Sequence, residues 1–132
     1  MNSYDFTLPI YGVAKPNKKV KDPSIGLNWY RNVYFRDNNI AKKKFKALIK
    51  DQIDSIDPIK GRVKISYRYY AKKNGTDLSN FVTVVKKYFE DALVESGVIE
   101  GDTCAFIVEN NEKFIEVDKS NPRVEATVTI LD

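Results

Sequence analysis

Two kinds of apolar spacing alternate along this 132-residue chain. They predict one small domain spanning residues 1–132, an α/β (α+β) fold with a mixed β-sheet and two main helices. The first observation is an unbroken helical stripe, Phe81, Val84, Val85, Tyr88, Phe89, Ala92 and Leu93, at steps of three and four. The second is strict alternation over Arg62–Tyr70, with Val63, Ile65, Tyr67 and Tyr69 on one side, which is the period of a half-buried strand. The third is bulk composition: 42% hydrophobic and 30% charged residues suit one core, and the length leaves no room for a second.

Taken in order, Tyr4–Ile10 reads as a first strand, closed by Pro9 and Gly12. Val13–Ile25 follows as a loop rich in lysine. Leu27–Phe35 is aromatic-rich and shows no decisive period. Asn38 or Asn39 offers an N-cap, and Ala41, Phe45, Leu48, Ile49, Gln52, Ile53 and Ile56 predict a helix over about 39–55 with a lysine outer face. Pro58 and Gly61 end that unit before the alternating strand. The second main helix takes Ser79 as its N-cap and Gly97 as its stop. Thr103–Glu109 and Arg123–Leu131 read as two further strands, the first turning as a hairpin across Asn110–Glu112. The expected order is therefore β, α, β, α, β, β.

The residue inventory excludes whole classes of chemistry. There is no histidine, so Ser-His-Asp and Cys-His catalysis and the common zinc sites are out. The single cysteine, Cys104, makes no internal disulfide and reads as a buried strand thiol. No apolar leader and no window near the roughly 18 apolar residues of a membrane span is present, which predicts a soluble, cytoplasmic protein. Chemistry is left to carboxylates, lysines or a hard cation.

Charge is distributed unevenly around a net +4. Lys15–Lys50 carries eleven basic side chains against Asp22 and Asp37 alone, whereas the chain from Glu90 onward is acidic. A basic half and an acidic half suit phosphate binding beside cation-binding carboxylates. The acidic points bracket the second main helix: Asp77, with Ser79 and Asn80, stands at its start, where free N–H groups favour an anion. Asp102 follows the turn after it. If that turn folds back, Asp77 and Asp102 with waters would hold Mg²⁺. The blander alternative is that Asp77 and Ser79 only cap the helix and Asp102 sits in a turn. Asn80, Lys87 and Asp91 share one flank, from which Lys87 would reach back toward a phosphate near Asp77 or pair with Asp91.

Asp77-Leu78-Ser79-Asn80-Phe81, a helix ending in Asp91-Ala92-Leu93, and Gly97-Val98-Ile99-Glu100-Gly101-Asp102 together resemble the RusA family of Holliday-junction endonucleases, many of them encoded by prophages. Leu8-Pro9 and the segment with Asn28 and Tyr30-Arg31 add weaker likeness to that family's N-terminal region. The resemblance implies a homodimeric, Mg²⁺-dependent nuclease, Mn²⁺ substituting, that resolves four-way DNA junctions by paired nicks. It assigns Asp77, Asp102 and Lys87 to catalysis, Asp77 and Asp102 with Glu100 to the metal, and Ser79 and Asn80 to orienting ligands or phosphate. The chain departs from the family's Asp-Leu-Asp-Asn at Ser79 and from its Asp-Asp pair at Gly101, so a weakened enzyme or a DNA-binding protein without turnover is the alternative. Its helix is also about a turn longer: aligned from the front the family lysine falls on Thr83, and aligned from Asp91 it falls on Lys87, the preferred match because an added turn keeps the faces in register.

On that reading the basic residues Lys15, Lys18, Lys19, Lys21, Arg31, Lys42, Lys43, Lys44 and Lys73 contact DNA phosphates, with binding that falls as salt rises. Trp29, Tyr30, Tyr34 and Phe35 are either core and interface aromatics or platforms for unpaired bases.

Overall fold

The computed structural model describes residues 2–75 and 77–132; Met1 and Thr76 lie outside them. The elements are β1 (Ser3–Leu8), α1 (Leu27–Asn32), α2 (Phe35–Leu48), α3 (Lys50–Asp54), β2 (Val63–Ala71), α4 (Leu78–Glu95), β3 (Ile107–Val117) and β4 (Arg123–Ile130). The strands form one mixed sheet in the order β1-β4-β2-β3.

Strand β2 is central, and every second residue from Val63 to Ala71 is buried. It pairs antiparallel with β4, Tyr67 opposite Ala126, and parallel with β3, Ser66 opposite Asn111. A parallel neighbour cannot be reached through a hairpin, so the chain crosses over the sheet, and α4 is that crossover. Its apolar stripe buries Val82, Val84, Val85, Tyr88, Phe89, Ala92 and Leu93. Phe89 meets Phe6 edge-on at 4.9 Å between ring centroids, and Tyr88 meets Phe45 of α2 at 5.7 Å. Such aromatic pairs each add about 1 kcal/mol beyond their buried area.

The long first helix of the sequence reading is corrected in two respects. It starts at Phe35 with Tyr34 as N-cap, so Asn38 and Asn39 lie inside it, and the Asn38 side chain accepts instead from the Tyr88 hydroxyl. It also breaks at Ile49 (φ −103°, ψ 4°) into α2 and α3. The bend buries Ile49 and Ile53 while leaving Leu48 exposed. It also lets Gln52 bond both backbone groups of Thr7: the Thr7 N–H donates to Oε1 at 2.7 Å and Nε2 donates to the Thr7 carbonyl at 2.9 Å. Part of the outer edge of β1 is thereby closed to other strands.

The expected hairpin at Asn110–Glu112 is absent, because β3 runs straight through those residues, in register with Ile65, Ser66 and Tyr67. Their polarity marks an exposed edge strand. The reversal comes at Asp118–Pro122, where Asn121 N–H donates to the Asp118 carbonyl at 3.1 Å and Ser120 Oγ donates to its side chain at 3.1 Å. Cys104 is likewise corrected: it lies exposed in the turn before β3, and the strand begins three residues later. No helix among the described residues is long and apolar enough to cross a membrane.

Candidate functional site

Asp77 takes an extended conformation (φ −83°, ψ 124°) and is itself the N-cap of α4, the role that the sequence assigned to Ser79. Its Oδ1 accepts from the Ser79 N–H at 3.0 Å, satisfying one of the unpaired donors of the first turn. Ser79 is exposed, and its carbonyl accepts from Thr83 Oγ1 at 2.6 Å. Asn80 turns toward α1: its Oδ1 accepts from the Asn28 N–H at 3.3 Å. The approach is close enough that a Cβ at Gly26 would stand 3.2 Å from the Asn80 carbonyl oxygen, so any larger residue there would require the two segments to shift by a few tenths of an ångström. Between the two helix starts lies a cleft of about 340 Å³ lined by Leu27, Asn28, Arg31, Asp77, Ser79 and Asn80. The fold thus gathers four of the residues expected at the site, Arg31, Asp77, Ser79 and Asn80, into one place: a carboxylate, a guanidinium, a hydroxyl and an amide.

Asp102 and Glu100 are not there. Strand β2 ends before the Asp77 turn, α4 carries the chain back, and β3 starts again alongside the beginning of β2. An 18-residue helix spans about 27 Å, so Asp77 and the turn containing Asp102 sit at opposite ends of the crossover. The expectation that this turn folds back onto Asp77 is therefore corrected within one chain, because parallel pairing of β2 and β3 separates them. No group of three or more histidine, cysteine, aspartate or glutamate side chains with metal-binding geometry occurs among the described residues. The donors at Asp77 in a single chain do not by themselves fit a divalent cation.

The negative charge of Asp102 is instead felt at Glu90, whose surroundings the sequence reading missed. The Tyr67 hydroxyl donates to Glu90 Oε2 at 2.6 Å, and Asn110 Nδ2 donates to the same oxygen at 3.2 Å. Burial pushes the Glu90 carboxyl above its ordinary value, the Tyr67 bond, Lys86 and Asn110 pull it down, and Asp102 pushes it up again. Burial first, and then the Glu90 charge, hold the Tyr67 hydroxyl well above its ordinary value, so it stays a donor. Lys86 bonds Glu112 at 3.0 Å and lies 5.7 Å from the Tyr67 ring centroid. The available signal was Glu90 standing beside the apolar stripe with Tyr67 on the buried face of its strand.

The basic residues divide into two groups. Lys15, Lys18, Lys19 and Lys21 are exposed on the loop before α1, and Lys15 and Asn28 line a common cleft, which ties this loop to the Asp77 end of α4. Lys42 and Lys43 line a cleft with Glu95, at the other end of that helix. Lys42 Nζ is 2.8 Å from Asp91, and that bond is the main reason its ammonium titrates above its ordinary value. A phosphate contact by Lys42 would therefore have to open this pair. Asp91 therefore pairs with Lys42 across the helix interface. Lys87 is exposed, ten residues or about 15 Å of helix beyond Asp77. Lys44 and Lys73 are exposed as well.

A larger cleft of about 630 Å³, also missed in the sequence, opens between the end of β1 and the Asp118–Pro122 reversal. There Lys72 Nζ lies 5.1 Å from the Tyr11 ring centroid, with Lys119 nearby. The chain matches no family model, and no characterised protein matches it at a significant level.

Proposed function

We propose that this chain is a cytoplasmic, metal-dependent endodeoxyribonuclease that works as a homodimer on branched DNA, resolving four-way junctions by paired nicks. The observation that carries the reading is the cleft joining Arg31 and Asn28 to Asp77, Ser79 and Asn80. Segments some fifty residues apart, each resembling part of the RusA pattern, meet there beside the basic loop. A guanidinium and exposed lysines around a single carboxylate suit a phosphodiester held next to a cation-binding group.

A dimer is also what the separation of Asp77 from Asp102 demands of this reading. Strand β3 is an edge strand with β2 as its one neighbour in the sheet. If β3 pairs antiparallel with its counterpart about a two-fold axis, the start of each β3 lies at the end of the other. Asp102 of one protomer then stands at the Asp77 end of its partner, about two strand spacings, or roughly 10 Å, from the partner strand that leads to Asp77. A divalent cation held there would supply water activation and leaving-group stabilisation.

Mixing two inactive variants tests both parts of the reading. Asp77→Asn and Asp102→Asn homodimers should each leave a synthetic four-way junction intact in Mg²⁺. Co-refolded heterodimers contain one site with both carboxylates and should nick one strand. Heterodimers as inactive as their parents would rule out a site shared between protomers, and an active Asp77→Asn homodimer would remove Asp77 from the chemistry.

A second reading is favoured by one observation: Asp77 is occupied as a helix cap. The chain would then bind junctions without cutting them, and parent protein that holds a junction tightly yet gives no nicks in Mg²⁺ or Mn²⁺ would establish it.

A further inference from the structure

We infer that the cleft between the basic loop and α1 is a pocket for one unpaired nucleobase, placed beside the Asp77 cleft and used when strands separate at a branch. This deepens the nuclease reading and rests on it for the class of ligand.

The pocket has about 520 Å³ of space, in the range of small-molecule sites, and its walls include Lys15, Asn28, Trp29, Asn32, Tyr34 and Asp37. Tyr34 is 56% exposed, which leaves its ring accessible from the cleft it lines. Trp29 is half-buried and packed against the core, so its position is fixed. A rigid indole and an accessible phenol ring in one cleft are the components of a stacking platform, which is sequence-tolerant because every base presents a π-face.

The polar groups separate a base from other occupants. Asn32 donates its Nδ2 to the Asn28 carbonyl at 2.7 Å, which leaves its Oδ1 as an acceptor. The Asp37 carboxylate adds a second acceptor, matching the exocyclic amino groups of a base edge and opposing a phosphate. Positive charge is nonetheless at hand: Lys15 lines the cleft, and the Arg36 guanidinium stands 6.0 Å from the Tyr34 ring centroid. Acceptors with aromatic rings, flanked by cations, describe a nucleotide with its base inside and its phosphates outside. Asn28 lines both this cleft and the Asp77 cleft, so a base seated here puts its own strand at the carboxylate.

Trp29 is the sole tryptophan of the chain, which makes its emission a direct reporter. The probes are a short oligo-dC, whose bases carry an exocyclic amino group, and an abasic oligomer of the same length and charge, titrated in EDTA at low salt. The oligo-dC should quench Trp29 and the abasic strand should not. Tyr34→Ala should weaken oligo-dC binding about tenfold and leave abasic binding unchanged. Equal quenching by both strands, no quenching by either, or equal weakening of both by Tyr34→Ala would overturn the pocket. Because Tyr34 is exposed, the variant is expected to fold, which circular dichroism verifies. A junction nicked with unaltered Trp29 emission overturns the pocket and leaves the nuclease standing. Base-dependent quenching in a protein that never nicks upholds the pocket and removes the nuclease.

Discussion

The Asn80 side chain accepts a hydrogen bond from the backbone N–H of Asn28, 52 residues earlier, at 3.3 Å. That contact ties the start of α1 to the start of α4 and shapes the cleft between them. A helix of six residues does not persist by itself, so the position of α1 is a tertiary property, set by this bond and by the packing of Leu27, Trp29 and Tyr30 on the core.

Asn80→Ala removes the acceptor and leaves the Asn28 N–H without its protein partner. The expected cost is about 1 kcal/mol, read as a lower urea midpoint at unchanged slope. Asn80→Asp keeps an acceptor at the same reach and should recover most of that loss. If both variants match the parent in midpoint, the bond does not position α1.

Asp77 caps α4, and the proposed nuclease function would give its charge a second, separable role. Asparagine caps helices about as well as aspartate, whereas alanine forfeits about 1 kcal/mol. Asp77→Asn should therefore keep the parent's stability and lose nicking, while Asp77→Ala should lose both. Thermal melts of the two variants beside a junction assay make the comparison. Retained nicking by stable Asp77→Asn protein would reduce Asp77 to a cap.

Much of this was readable from residue spacing. The α4 stripe and the β2 alternation each repeat one period for long enough that a single buried face satisfies them, and both elements stand where their spacing put them. Features decided between distant segments were not readable. The break at Ile49 goes together with Gln52 meeting the backbone of Thr7, and no local pattern announces it. Asn110–Glu112 carries residues common in turns, yet an exposed edge strand tolerates them equally. The separation of Asp77 from Asp102 did leave a trace: a strand, a long helix and another strand form a crossover, and a crossover to a parallel neighbour puts its two turns at opposite ends of the sheet.

Glu90 should make stability pH-dependent in a direction opposite to most carboxylates. Its folded-state value is raised above the ordinary 4.5, chiefly by burial, so the folded chain binds this proton more tightly than the unfolded chain. The resulting stability is complete below 4.5 and is lost as pH rises through the raised value. Asp118 and Asp132, held down first by bonds from Arg123 and Arg62, act oppositely and in a lower window, losing their contribution as pH falls below 3.8. Glu90→Gln should thus converge with the parent near pH 4.5 and exceed it in stability at pH 7, measured by denaturant melts at both values. Tyr67→Phe removes the 2.6 Å donor and should cost about 1–3 kcal/mol at pH 7.

The two groups of basic residues predict two responses to salt. Each phosphate contact contributes about 0.9 to the slope of log affinity against log salt, through counterion release from duplex DNA. Arg31 lines the Asp77 cleft, so Arg31→Ala should weaken junction binding and flatten that slope by about 0.9. Lys42 is held 2.8 Å from Asp91 in the α2–α4 interface, so a phosphate would have to displace that carboxylate to reach it. Lys42→Ala should leave the slope unaltered while lowering stability modestly, since both partners are partly shielded from solvent. Titrations of a fluorescent four-way junction between 50 and 200 mM salt, conditions chosen for about a fourfold change in ionic strength, give both slopes. A Lys42→Ala slope flattened as much as that of Arg31→Ala would mean that the ion pair opens on DNA and that the α2 lysines belong to the binding surface after all.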